Sequence, residues 1–351
     1  MLAALSHASA YLFILAVIIF IHEMGHYLAC KFQGIEVGTF SLGFGPVLGS
    51  LTLWNTLFTV RLFPLGGFIK PRGIEGRPDD VTSSVKGNYY SKKWYNRLAV
   101  VYAGPLMNFV LAFFLFAGLL WIKGSPSYST QPVIGEVQPD SLAEKAGLKV
   151  GDRILAMSES KDTSSQLASD WRSIHNFLFT HSNVVLFVER NGQKYIMQIS
   201  RSNNDPGQLL GISPQVVLVS QSLSTAATES SRICTFQVSE MIRLIVSKVS
   251  GKSQVALMGP IGIYGAVAQA SSSWTEIFSI TALLSLSLGF FNLLPIPLLD
   301  GGSAMLFWLE GLTGYYPPVF ILNLLQLVGL VVIGAIFLFA ATGDILRILH
   351  L

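Results

Sequence analysis

Charge is what this chain has least of. Asp, Glu, Lys and Arg together make up 12% of its 351 residues, against roughly 25% in an ordinary soluble domain. Hydrophobic residues make up 51%, and the mean hydropathy is +0.54. That balance excludes a free-standing water-soluble domain and points to an integral membrane protein. The net charge is +3 with no long basic tract, so no nucleic acid is expected as partner. Cysteine is nearly absent: Cys30 and Cys234 are the only two, too few and too far apart for a disulfide framework or a cysteine zinc signature. No Lys or Arg precedes the first apolar run, so the amino-terminal segment lacks the charged start of a cleavable signal peptide and is expected to be retained.

Four apolar runs reach the ~20 residues needed to cross a bilayer: 8–30, 98–122, 277–294 and 319–341. Between the first two lie Lys31, Arg61, Lys70, Arg72, Arg77, Lys86, Lys92, Lys93 and Arg97 against four acids. An excess of basic residues marks a cytoplasmic loop. Both termini and the long stretch between the second and third runs are then expected outside. The loop 310–318 has no Lys or Arg and says nothing either way.

The first run leads directly into His22-Glu23-Met24-Gly25-His26. Histidines at i and i+4 share one helical face and can bind one zinc ion, and the glutamate between them is placed to act as general base on a metal-activated water. Ionisable groups are costly in hydrocarbon, so their presence in a span is a functional signal. Two histidines leave a catalytic zinc one protein ligand short. The third run supplies a candidate in Asn292-Leu293-Leu294-Pro295-Ile296-Pro297-Leu298-Leu299-Asp300-Gly301-Gly302, where Asp300 is the only acid between Glu276 and Glu310. Pro295 and Pro297 break the helix there, and Asp300 either completes the metal site or merely caps the helix that follows. An H-E-x-x-H match alone arises by chance. The coincidence of two histidines, a glutamate and a distant aspartate at membrane depth favours the metal.

The remaining segments are expected to surround that core. Residues 35–70 are apolar yet interrupted by glycines at 38, 43, 45, 49, 66 and 67. With the strand-rich stretch 51–63 they read as a β-hairpin region, either re-entrant beside the metal or lying at the membrane surface. Residues 124–203 read as an inserted α+β module, with Ser141 as N-cap of a short helix 142–145, a second helix 171–179, and strands 184–189 and 195–201 joined through Asn191-Gly192. Residues 222–251 read as an amphipathic helix, on the membrane surface or packed on the insert.

The insert's Ser141, Ala143, Ala146, Gly147, Leu148, Gly151, Asp152, Ile154 and Leu155 resemble a PDZ domain of the bacterial, circularly permuted kind. No glycine-rich carboxylate-binding loop is visible ahead of Val133, so capture of a free C-terminus and a steric or gating role both stay open. HEMGH in the first span, this insert and N-x-x-P-x-P-x-L-D-G in the third together resemble the site-2 protease family of intramembrane zinc metalloproteases, the bacterial regulator-of-sigma-E type most closely. Gly66-Gly67-Phe68-Ile69-Lys70, Ala103-Gly104-Pro105-Leu106-Met107-Asn108 and Gly259-Pro260-Ile261-Gly262-Ile263 extend the resemblance over nearly the whole chain.

The resemblance implies a polytopic α-helical membrane protein of four transmembrane helices. Its segments would be 1–31, a re-entrant β region 32–72, a cytoplasmic loop 73–97, a second span 98–122, a PDZ domain 124–203, linker helices 204–275, and spans within 276–311 and 317–343. His22, His26 and Asp300 would bind one Zn2+ per chain, Glu23 would be the catalytic base, and Asn292 with Gly66 and Gly67 would bind substrate backbone. The substrates implied are single-span membrane proteins, such as an anti-sigma factor already trimmed by another protease, cleaved in a bacterial inner membrane. Some relatives carry two PDZ modules in tandem, whereas this insert has room for one. Two rival classes are a non-catalytic PDZ-bearing adaptor, which predicts damage to a metal or base position, and a metal transporter, which predicts more polar residues across the second and fourth spans than Asn108, Asn323 and Gln326.

Overall fold

Apolar side chains on every face of a helix suit hydrocarbon rather than water, and several of the long helices here have that character. The computed structural model describes residues 2–74, 85–160, 165–181, 183–200, 210–250, 259–270 and 273–348. Arg77 of the basic loop, positions 201–203 of the insert and parts of the linker 204–275 lie outside the described residues. The chain divides into two units: residues 1–120 with 222–351, and an inserted unit 121–221.

The first unit begins with α1 (Leu2–Phe32), followed by β1 (Val37–Leu53) and β2 (Thr56–Pro71). The two strands pair antiparallel but with repeated register shifts. The stretch expected as a strand over 51–63 contains the hairpin turn, because Trp54 and Asn55 both take positive φ, 49° and 57°, as a two-residue turn matched to strand twist requires. Gly43 and Gly45 (φ 86° and 83°) bend β1 midway. Phe40 consequently faces both Ile69 and Phe58, and Ser41 both Phe68 and Thr59. Four segments share the sheet, in the order 67–71, 37–42, 57–60 and 49–53. The sheet flanks the C-terminal half of α1: Lys31 Nζ donates to the Trp54 carbonyl at the hairpin turn, while Gly67 packs on Ile19 and Glu23. Eight to twelve helical residues separate those two levels of α1, about 12–18 Å at 1.5 Å per residue.

A single 3₁₀ turn, Tyr89–Ser91, leads into α2 (Trp94–Lys123), which has Pro105 in its interior. The inserted unit then holds β3 (Ser125–Tyr128), β4 (Ile134–Val137), α3 (Leu142–Lys145), β5 (Arg153–Ser158), β6 (Gln166–Leu167), α4 (Trp171–Thr180), β7 (Asn183–Arg190), β8 (Gln193–Ser200), β9 (Ile212–Pro214) and β10 (Val216–Val219). Strands order as β6-β5-β7-β8, with two further pairs, β4-β9 and β3-β10. Ser141 Oγ accepts from Glu144 N–H at the head of α3, and Asp170 with Ser173 forms a reciprocal capping box on α4. The core gathers Ile134, Ile154, Met157, Ile174, Leu186 and Val188. Beside it, fully buried Asp152 is held by Arg190 through Nε and Nη2 at 2.6 and 2.7 Å; that bond keeps the Arg190 guanidinium charged and raises its pKa.

The first unit resumes with α5 (Leu223–Val249), α6 (Pro260–Ala270), α7 (Trp274–Asn292), α8 (Asp300–Thr313) and α9 (Val319–Ile348). The third apolar run is thus a helix ending at Asn292, a turn through Pro295 and Pro297, and a second helix starting at Asp300. Among the described residues, four helices are long and apolar enough to cross a membrane, within His7–Phe32, Trp94–Lys123, Trp274–Asn292 and Val319–Arg347. Tyr27, Cys30, Phe40, Leu98, Val101, Ala304 and Phe307 form the core shared by α1, β1, α2 and α8.

Candidate metal centre

Gly25 and Gly104 decide how closely α1 and α2 approach. A Cβ at Gly25 would collide with the Ala103 carbonyl, and one at Gly104 with the His26 ring. With neither present, the α2 backbone reaches the histidine pair. Pro105 has no N–H to donate back along α2, which loosens the preceding turn. His26 Nδ1–H donates to the Val100 carbonyl at 2.8 Å in that turn. The bond fixes the proton on Nδ1 and leaves Nε2 free to act as a ligand.

Three ligand atoms then converge. The Nε2 atoms of His22 and His26 are 3.2 Å apart, and Asp300 places Oδ2 3.1 Å from His22 Nε2 and Oδ1 3.5 Å from His26 Nε2. Ligand atoms bound tetrahedrally at ~2.0–2.1 Å from zinc stand about 3.3 Å apart, and the three separations, which reach both oxygens of the Asp300 carboxylate, are of that size. His22, His26 and Asp300 form the one group of three or more potential metal-binding side chains among the described residues. Asp300 Oδ2 is buried without a hydrogen bond of good geometry, an unpartnered acceptor that a cation would satisfy. Asp300 is the first residue of α8, whose N-cap is Leu299; its carboxylate turns to the histidines rather than capping that helix. The donor set, two imidazoles and a carboxylate with no thiolate, suits zinc.

Glu23 is buried beside this triad, 8% exposed, and the Ile69 N–H hydrogen-bonds its carboxylate. A Cβ at Gly67 would stand 2.8 Å from Glu23 Cγ, so only glycine lets the edge segment 67–71 lie against it. Gly66, one residue earlier, packs instead under the Phe44 ring. Asn292 is the half-buried last residue of α7. Of the residues singled out in the sequence, His22, Glu23, His26, Asp300 and Gly67 meet at one place; Gly66 stands next to them and Asn292 at the end of the neighbouring helix.

Sequence reasoning gave no site role to Val100, Ile69 or Asn108. The first two act through backbone groups, which no residue identity reveals. Asn108 is fully buried, with Nδ2 3.3 Å from His22 Nδ1. Its signal was available: one amide in the middle of an apolar span.

A family model described as Peptidase family M50 matches residues 10–336. A provisionally named zinc metalloprotease of Fusobacterium nucleatum is 33% identical over 303 residues, 84% of this chain and 86% of its own. One of Campylobacter jejuni is 30% identical over 351 residues, covering 96% and 92%. One of Rhizobium meliloti is 30% identical over 364 residues, covering 95% of each.

Proposed function

The chain belongs to peptidase family M50, the site-2 protease family, and from that premise we propose that it hydrolyses peptide bonds of single-span membrane proteins within the bilayer. The observation that carries this reading is the convergence of His22, His26 and Asp300 beside Glu23, on helices apolar enough to span a membrane.

His22, His26 and Asp300 would hold one zinc ion. Zinc bound there supplies Lewis acidity, which brings a water's pKa toward about 7 and polarises a carbonyl. Glu23 accepts the proton of that water as its oxygen attacks the scissile carbonyl, and delivers it to the leaving amine. The Ile69 N–H keeps the carboxylate aimed while the proton is exchanged. A substrate helix in lipid has its amides bonded internally, so it must open before a carbonyl reaches Glu23. The edge segment 67–71 is positioned to receive the opened chain as an added strand, with the Gly66 and Gly67 backbone and the Asn292 side chain holding it. The roughly 12–18 Å over which the sheet accompanies α1 supports a re-entrant placement of that sheet, whose outward side chains, Phe44, Leu48, Leu51, Val60 and Phe63, are exposed and apolar.

The inserted unit is read as a PDZ-type module, supported by the capped turn at Ser141 and by the motif carrying Asp152. The basic loop supports a cytoplasmic side for residues 73–97 and an extracytoplasmic insert, in a bacterial inner membrane. Substrates of this type include membrane-bound anti-sigma factors first trimmed by another protease.

Mutagenesis of the purified protein tests the reading. Glu23→Gln is expected to keep zinc and lose cleavage of a model single-span substrate by at least about 1,000-fold, whereas His22→Ala and Asp300→Ala lose zinc and cleavage together. Full cleavage by Glu23→Gln would overturn the assignment of the base.

A further inference from the structure

We infer that Asn108 is the positioning residue for His22. The inference rests on the metal reading above and deepens it.

A histidine that binds zinc through Nε2 must carry its proton on Nδ1, and that proton needs an acceptor. For His26 the acceptor is the Val100 carbonyl. The group facing His22 Nδ1 is the amide of Asn108, at 3.3 Å. In the arrangement present here Nδ2 faces the ring nitrogen, and Oδ1 is buried with no hydrogen-bond partner. The ends of an amide are told apart only by their hydrogen-bond partners, and a donor facing Nδ1 would leave the His22 proton on Nε2, the tautomer that cannot bind a metal through Nε2. Rotating the amide by half a turn exchanges its ends. Oδ1 then accepts from Nδ1–H, and the Nε2 lone pair points at His26 Nε2 and Asp300 Oδ2.

The amide is held in place for this. Asn108 is 0% exposed, and the Ser285 hydroxyl donates to its main-chain carbonyl at 2.9 Å. A Cβ at Gly289 would stand 3.2 Å from Asn108 Cβ, so α7 closes over the side chain. The one helix α2 supplies both acceptors: Val100 fixes the second histidine through its backbone, and Asn108, two turns on, fixes the first through its side chain.

The experiment compares zinc affinity, by competition with a chelating fluorophore, and the melting temperature of the zinc-free form, for full-length wild type, Asn108→Leu and Asn108→Asp in detergent. Loss of an outer-sphere partner of a ligating histidine typically costs 10–100-fold in affinity, and that loss is expected for Asn108→Leu. Asn108→Asp keeps an acceptor and is expected within about threefold of wild type. The zinc-free melting temperature of Asn108→Leu should not fall, because a packing role would lower it while a positioning role would not. Wild-type affinity in Asn108→Leu, or equal losses in Leu and Asp, overturns the inference while leaving the metal reading intact. Wild-type protein that binds no zinc at all overturns both. Should Asn108→Leu fail to fold, Asn108→Ala against Asn108→Asp makes the same comparison.

Discussion

Single atoms decide whether α1 and α2 can share a metal site. Alanine in place of glycine within a helix normally gains up to about 1 kcal/mol, whereas a side chain forced into a filled space costs about 1–3 kcal/mol. At Gly104 the second effect governs, since the new methyl would enter the His26 ring. Gly118, four turns along the same helix, has nothing within 4 Å of a Cβ. Gly104→Ala is therefore expected to lower both the melting temperature and zinc affinity, while Gly118→Ala leaves the affinity unchanged and the melting temperature equal or higher. Thermal unfolding with parallel zinc titration checks the pair; equal behaviour of the two variants would contradict the close approach. The H-E-x-x-H motif was readable because its geometry is local, one turn of one helix. Asp300 was readable because a lone acid after two prolines has few other reasons to be in a span. The Val100 carbonyl and Ile69 N–H were not, because every residue carries such groups and only tertiary placement selects them.

At the scale of elements, α2 is the frame against which the helices carrying the candidate ligands are set. Its first turn carries Arg97, 1% exposed, which donates to Glu310 near the end of α8. The guanidinium also lies over the rings of Tyr90 and Phe307, at 5.0 and 4.9 Å. Since α8 begins at Asp300, this pair anchors the helix that presents the third candidate ligand. Breaking a buried ion pair from one side costs about 3–5 kcal/mol, whereas replacing both partners with apolar groups is often neutral. Arg97→Met should therefore lower the melting temperature sharply, and Arg97→Met with Glu310→Leu should restore most of it. If the double variant is as unstable as the single, the pair does not act as a unit. Arg97 was counted from sequence with the basic loop; its burial removes it from that surface. The β region was legible as strands from composition, but not as four segments. That arrangement depends on positive φ at Gly43 and Gly45 and on pairing between 37–42 and 67–71, a contact closed over roughly thirty residues that no local pattern encodes.

For the molecule as a whole, the division into two units predicts separable stability. Asp152 is fully buried and bound by Arg190 and by the Lys149 N–H at 2.9 Å, so Asp152→Ala removes one side of a buried pair inside the insert, a loss of about 3–5 kcal/mol. That is a large share of the 5–15 kcal/mol that holds a domain folded. Limited proteolysis should cut residues 121–221 of this variant faster than those of wild type, while zinc content stays the same. Loss of zinc along with the insert would show that the units are not independent. The number of spans was legible because hydrophobic length is an additive property of sequence. The break of the third run into α7 and α8 was only half legible: Pro295 and Pro297 mark the interruption, but the direction taken afterwards depends on close packing, as where Gly329 of α9 meets the Pro297 carbonyl.

X-ray absorption at the zinc edge, with metal stoichiometry on the same purified sample, addresses the centre itself. One zinc per chain is expected, bound by two imidazole nitrogens and oxygen donors, with the signal lost in Asp300→Ala and kept in Glu23→Gln. A chain that takes up no zinc, or an Asp300→Ala variant whose zinc environment matches wild type, would contradict the account.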